Sequence, residues 1–381
     1  MRKRRFELDT RIMMVFLLVA MPFVAVGAYF VVTMGRSAMR ESVAQTLEQR
    51  AVETRFRVER YVGDHAALLR LIAAWPDVKA SLHRTPGPMS PEEQQQLNEA
   101  WASGDAALIA GLLRTPVAER LRGVLEIRPG IKLLQVVDDD GRLLASSAHA
   151  GRVLNGDTEW FTAVAEQGLE PHTFVGDVER RRPDEAALYD VAWPIRNEEG
   201  FFVGAVRAAC DAADLYTVLA PVRIGSTGRA VLMHAKDGRV LASDDDGEIL
   251  RAQYPGFPQL QAAMLELRGS WQVPEIERRT PEGESLPVAP ARLVGYSPVT
   301  QIPGIEWLVA VEQELAEASA PIDQIRFWLW LHFLAAFSLT ILLGLYFMFQ
   351  VETPVIEEAL HLHEEHVPPS ERRAAEGARA G

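Results

Sequence analysis

Cysteine is almost missing from this chain: Cys210 is the only one in 381 residues. A single thiol can form neither an intrachain disulfide nor a cysteine-based zinc site, and it leaves the compartment open. Positive charge is short as well, with 39 Lys and Arg against 52 Asp and Glu and a formal net charge of −13. That balance argues against a nucleic-acid partner, and no basic stripe with interleaved aromatics is present. Catalytic signatures are also absent: there is no Gly-x-Ser-x-Gly elbow, P-loop, Rossmann fingerprint or His-Glu-x-x-His. No catalytic residue, metal ligand or cofactor is therefore expected. His361, His363 and His366 stand among Glu357, Glu358, Glu364 and Glu365, a run read as a solvated helix rather than a metal site. The acidic runs at 138–140 and 244–246, each followed by Gly, lack the spaced ligands and terminal Glu of a calcium loop and read as turns.

What is abundant is apolar residues in two uncharged runs, 12–34 and 327–349. Each is long enough to cross a hydrocarbon core of about 30 Å as a helix. The first exceeds a signal-peptide core, and its one small-x-small triplet, Ala25-Val26-Gly27, lies inside the run, so it reads as an uncleaved anchor. Arg2, Lys3, Arg4, Arg5 and Arg11 precede it and keep the N-terminus in the cytoplasm. The expected arrangement is a two-pass protein of the inner (plasma) membrane. Residues 1–11 form a cytoplasmic N-terminus, 12–34 and 327–349 span, 35–326 lie outside the cytoplasm, and 350–381 form a short cytoplasmic tail.

Between the spans, one phrase occurs twice. Asp140-Gly141-Arg142-Leu143-Leu144-Ala145-Ser146 returns as Asp237-Gly238-Arg239-Val240-Leu241-Ala242-Ser243. Each copy follows a short apolar run, and Asp-Gly between two apolar runs marks a β-hairpin. Two hairpins a module-length apart indicate one supersecondary unit used twice.

Around them the pattern predicts a long helix over 36–72, with an apolar stripe through Met39, Val43, Leu47, Ala51, Val58, Val62, Leu69 and Ile72. The stripe can pack on its own domain or against a second copy of itself. Ser90-Pro91-Glu92-Glu93 opens a helix with a capping box. Further helices are expected at 106–113, 116–125, near 158–161 with Asp157 as cap, at 214–219 and at 257–267. Strands are expected at 187–195, 201–209, 270–274, 291–298 and 306–311. Polar loops are expected at 179–184 and near 280–287. The fold class is α+β: a long N-terminal helix and two tandem antiparallel-sheet modules flanked by two transmembrane helices. The long helix and first module cover 36–218, and the second module covers 219–325.

Several phrases in order carry a resemblance: 133–147; Trp160-Phe161; Asp190-Val191-Ala192-Trp193-Pro194-Ile195 followed by Gly204-Ala205-Val206; Arg223-Ile224-Gly225-Ser226-Thr227-Gly228; and Leu293-Val294-Gly295-Tyr296-Ser297-Pro298 followed by Trp307-Leu308-Val309-Ala310-Val311. Over residues 36–325 the chain resembles the double Cache sensor domains, the PAS-like extracytoplasmic ligand-binding regions of bacterial chemoreceptors, histidine kinases and cyclases. The resemblance implies a ligand in the membrane-distal module, the first one here. The amino-acid-binding branch of that family carries an Arg two residues before the helix Trp and an Asp on the last strand. Here those places hold Thr158 and Ala209, so that ligand is not carried over.

Arg207 is the candidate clamp. Strand alternation puts it on one face with the small Ala205 and Ala209, and a guanidinium in a partly apolar cavity suits a carboxylate or phosphate. The alternative is that it faces solvent or pairs with Asp190 or Asp211 across the sheet. Trp160 and Phe161 either cap the pocket or fill core, and Asp177 and Tyr189 complete the candidate set with Asp211. The sequence thus points to a non-enzymatic sensor for a small molecule, with an anion favoured. It would act as a homodimer and signal through a separate cytoplasmic kinase or cyclase, since no output domain is recognisable. The alternative is an accessory membrane subunit whose modules bind a protein partner instead.

Overall fold

The computed structural model describes all residues except 1, 83–86, 88, 167–171, 181–184, 245–248, 251, 264–267, 280–284 and 366–381. Asp245 and Asp246 of the second acidic run, most of the polar 179–184 segment, the tip of the 280–287 loop and His366 thus lie outside the described residues, while Asp244 pairs with Arg229 at 2.8 Å.

Both Asp-Gly turns form as their residues dictate. Gly141 and Gly238 take φ of 78° and 70°, the left-handed region that only glycine enters without strain. The first turn joins β1 (Ile131–Asp138) to β2 (Leu143–Ser146), and the second joins β6 (Arg229–His234) to β7 (Val240–Ala242). Asp138 is buried, and its Oδ1 accepts from the backbone N–H of Arg142 at 2.7 Å and of Asp140 at 3.1 Å. The first acidic run is therefore a turn.

The rest of each module follows the same plan. In the first, α6 (Glu159–Ala165), β3 (Phe174–Val175), β4 (Leu188–Arg196) and β5 (Phe202–Asp211) lead to α7 (Ala212–Leu219). In the second, α8 (Phe257–Ala263), β8 (Gly269–Val273), β11 (Arg292–Pro298) and β12 (Trp307–Glu314) follow β7. The sheet orders are β2-β1-β5-β4-β3 and β7-β6-β12-β11-β8, antiparallel throughout. The repeated phrase thus marks a repeated topology. One expectation changes: the stretch near 280–287 is flanked by β9 (Ile276–Arg279) and β10 (Ser285–Ala289), which pair antiparallel as a separate ladder.

Helices bracket the sheets. α1 runs Arg2–Ala73, then come α2 (Pro76–Leu82), α3 (Pro91–Ser103), α4 (Ala106–Leu113) and α5 (Pro116–Ile127); α9 (Leu315–Glu365) follows β12 directly. The capping box at α3 is present, with the Glu93 carboxylate accepting from Ser90 N–H at 2.7 Å and Ser90 Oγ accepting from Glu93 N–H at 3.3 Å. At α6 the cap is Thr158 rather than Asp157, and Asp157 pairs with Arg152 at 2.9 Å.

The chain divides into two compact units: residues 1–40 with 319–381, and residues 41–318. The first contains the apolar parts of α1 and α9, which are long and apolar enough to cross a membrane. The second contains both sheets and the rest of α1. Here the α1 stripe packs on its own chain: Leu47, Ala51, Val58, Val62, Leu69 and Ile72 are buried in one core with residues of both sheets. Burying such side chains contributes about 1.5–3 kcal/mol each, so the stripe is committed and leaves only the other faces of α1 for any pairing of two copies. The approach is close: a Cβ on Gly295 would lie 2.2 Å from the Leu47 carbonyl carbon.

A candidate ligand-binding site

Alternation gives the first sheet two different faces. One carries Leu134, Val136, Tyr189, Val191, Val206 and Ala208 into the α1 core. The other carries Val137, Ala192 and Ala205 beneath Trp160, Phe161 and Val164 of α6. On this second face, register sets Gln135 opposite Arg207 and Arg207 opposite Ala192, with Asp190 two residues along β4. The result is a polar trio in an apolar layer. Arg207 Nη2 donates to Asp190 Oδ1 and Oδ2 at 2.7 and 2.8 Å, and Nη1 donates to Gln135 Oε1 at 2.9 Å. The guanidinium lies 5.3 Å from the Trp160 ring centre, within cation–π range.

Above the trio is a cavity of about 260 Å³. The Arg207 side chain is only 3% exposed, whereas that of Asp190 is 24% exposed; both line the cavity. Trp160 and Phe174 line it together with the polar Arg152, Asn155, Thr158, Glu159, Asp177 and Glu179. Four carboxylates (Glu159, Asp177, Glu179, Asp190) therefore meet two guanidinium groups, and Arg152 is already paired with Asp157. On the corresponding face of the second sheet Val231, Met233, Leu308 and Ala310 pack against Tyr254, Phe257 and Leu260, and its polar group is the buried Glu312, which accepts from Arg229 Nε and Arg292 Nη1 at 2.7 Å each and from the Tyr254 hydroxyl.

Of the residues singled out from sequence, Trp160, Asp177 and Arg207 come together at this cavity. Phe161 lies beneath it, edge-on to Trp160 and Phe202 at 5.7 and 5.8 Å. Tyr189 is on the opposite face, 1% exposed, with its hydroxyl 3.2 Å from His65 Nδ1 of α1. Burial is the main reason its phenol is held well above the ordinary range. Asp211 is away from the cavity: it caps α7 through Ala213 N–H at 3.0 Å and pairs with Lys132 at 3.2 Å. Asp177 also reaches beyond the cavity. Its Oδ1 accepts from Trp307 Nε1 at 3.2 Å, and its Oδ2 accepts from Arg239 Nη2 at 2.9 Å. Both partners belong to the second module, and Arg239 is the arginine of the repeated phrase.

Gln135, Asn155, Glu159 and Glu179 were not anticipated. A glutamine inside an apolar strand was the one available signal. The others lie in a loop, at the helix start and beyond β3, where residue type alone does not say what faces a cavity. Among the described residues no group of three or more His, Cys, Asp or Glu could hold a metal ion, and the cavity carries no catalytic constellation.

No family model and no curated protein matches the sequence. Solved structures do. The ligand-binding domain of the Pseudomonas aeruginosa PAO1 amino acid chemoreceptor PctB, in complex with L-Arg, is 16% identical with a TM-score of 0.46, covering 74% of this chain and 98% of that one. The ligand-binding domain of the Pseudomonas fluorescens chemoreceptor CtaA, in complex with L-serine, is 14% identical with a TM-score of 0.46, covering 72% and 98%. That of the P. aeruginosa chemoreceptor PctC, in complex with GABA, is 16% identical with a TM-score of 0.44, covering 71% and 100%. Extracellular domains named for histidine kinases match in the same way. The α+β arrangement of tandem antiparallel-sheet modules stands on this chain's own sheet topology.

Proposed function

We propose that this chain is a membrane-anchored, extracytoplasmic sensor whose first sheet module binds a small polar molecule carrying a protonated amine. The observation that carries the reading is the cavity above Arg207 and Asp190. The sequence favoured an anion because Arg207 was the one cation in view. Here that cation is neutralised by Asp190, and an anion entering the cavity would meet Glu159, Glu179 and the exposed edge of Asp190. An ammonium group would find those carboxylates and the face of Trp160, the combination that recognises cations elsewhere.

The signal path follows from Asp177. It borders the cavity and grips Trp307, the first residue of β12, and β12 runs into α9 without a break. A ligand that draws Asp177 toward the cavity loosens its hold on Arg239 and Trp307, and so biases the second module and α9. The bias cannot exceed the ligand's differential affinity for the two arrangements. With both termini in the cytoplasm, the response would pass through residues 350–381 to a separate partner such as a kinase or cyclase.

Thermal melts of the full chain against parallel panels of small amines and small carboxylates test the reading, because a ligand of the folded state raises the melting temperature by mass action. Amines should stabilise, and Glu159→Gln should weaken the effect while leaving the unliganded melt unchanged. Stabilisation by carboxylates alone would reverse the charge assignment. No response to either panel would leave the protein-binding alternative in possession.

A further inference from the structure

The unit made of residues 1–40 and 319–381 holds a groove that the sensor reading does not use. Its volume is about 560 Å³. Along α1 its wall is Ala25, Ala28 and Val32, a single helix face by spacing; along α9 it is Leu329, Trp330 and Phe333. The groove ends among Arg36, Arg40 and Arg326. One carboxylate answers these three cations: Asp323 accepts from Arg36 and lies 3.4 Å from Arg326. Arg40 is exposed and has no ion-pair partner among the described residues.

This placement is unexpected for membrane helices. Arginines near a span are retained preferentially on the cytoplasmic side, yet in the proposed topology these three lie at the outer end. An excess of two positive charges at the mouth of an apolar slot, lined by the small Ala25 and Ala28 and by Phe333, matches an amphiphile with an anionic head. A zwitterionic phospholipid carries its own compensating ammonium group, whereas an anionic one does not. Basic pockets between membrane helices bind anionic head groups on these grounds.

We infer that the groove between α1 and α9 is a binding site for one anionic phospholipid, its phosphate on Arg36, Arg40 and Arg326 and an acyl chain along Ala25, Ala28, Val32 and Phe333. The inference rests on reading the two helices as membrane spans. Such a lipid would tie the outer ends of the two helices together and set the resistance against which any signal from the sheets must act.

The test uses the full chain in phosphatidylcholine vesicles, with Trp328→Phe so that Trp330 is the tryptophan reporting from within the bilayer. A small fraction of either brominated phosphatidylglycerol or brominated phosphatidylcholine is added, and quenching is compared. Phosphatidylglycerol should quench more at equal fraction. Arg40→Gln should reduce that preference roughly fivefold, since one basic residue at an anionic surface is worth about a factor of that size, and Arg40→Lys should retain it. Equal quenching by the two lipids, or a preference indifferent to Arg40→Gln, overturns the site while leaving the spans intact. Absence of quenching by either lipid also overturns it. A reporter fused after Gln350 then separates the causes: inside the cytoplasm, a second copy of the chain covers the groove; outside, the spanning arrangement itself is wrong.

Discussion

At the scale of single residues, the Arg207–Asp190 pair is the most consequential contact. A buried ion pair adds little net stability, but removing one partner strands the other charge and costs about 3–5 kcal/mol. Asp190→Ala should therefore lower the stability of the full chain severely, and Arg207→Met combined with Asp190→Ala should recover most of the loss. Denaturant melts of the two variants decide it; a mild single variant would mean the guanidinium is solvated. His65 makes a second prediction. It is 5% exposed in the α1 core, and burial, with Arg128 adding to it, depresses its pKa from 6.5 to about 4. Between those values the unfolded chain binds the proton and the folded chain does not, so stability rises with pH. The contribution is complete above pH 6.5 and is lost as pH falls toward 4, for a total of about 3 kcal/mol. His65→Gln should flatten the fall in melting temperature between pH 7 and pH 5. An unchanged slope would assign the acid sensitivity to other groups.

At the scale of elements, the start of α9 is held by a turn. Glu317 in its first turn accepts from Ser226 N–H at 2.6 Å and Thr227 N–H at 2.9 Å, and from the Ser226 hydroxyl at 2.9 Å and the Thr227 hydroxyl at 2.5 Å. The Thr227 hydroxyl and then these backbone donors hold its carboxyl down at about 2, so it is ionised at neutral pH. Gly225, at φ 64°, leaves the room: a Cβ there would sit 2.3 Å from the Glu317 carboxylate. The motif read as a family landmark thus works as a clamp on the helix that leaves the second sheet. Glu317→Gln should speed amide exchange at Ser226 and Thr227 and in the first turn of α9, without disturbing the β12 amides. Exchange unaltered at the turn would show that the clamp does not hold the helix.

For the unit of residues 41–318 as a whole, the question is what couples its two sheet modules. Much of the connection is apolar, through the core that α1 shares with both sheets. The polar connection is Asp177, which touches the cavity on one side and Arg239 and Trp307 on the other. Its side chain is 33% exposed and that of Arg239 is 40% exposed, so the pair is worth about 1 kcal/mol or less. A cycle of Asp177→Ala and Arg239→Ala should show coupling of that size, with stability lowered only modestly in each single variant. Strict additivity would remove Asp177 from the signal path. A contact this weak is suited to signalling, because a ligand can outweigh it with ordinary binding energy.

Local chemistry was legible from the chain itself. The two Asp-Gly hairpins, the capping box, the apolar spans and the alternating strands rest on backbone preference and on periodicities of two and 3.6, which neighbouring residues define among themselves. The repeat of modules followed from one repeated phrase. Partnership did not. Alternation already sets Tyr189 and Asp190 on opposite faces, yet which face holds the cavity depends on where α1 and α6 pack. Arg207 on a strand says only that a guanidinium must be satisfied; the register of β4 against β5 decided that Asp190 satisfies it, and with that the charge of the site. Asp177 could be listed as polar near a strand, but its link to Arg239 joins residues 62 apart in sequence. Contacts at that separation are set by the packing of whole elements, and no local pattern encodes them.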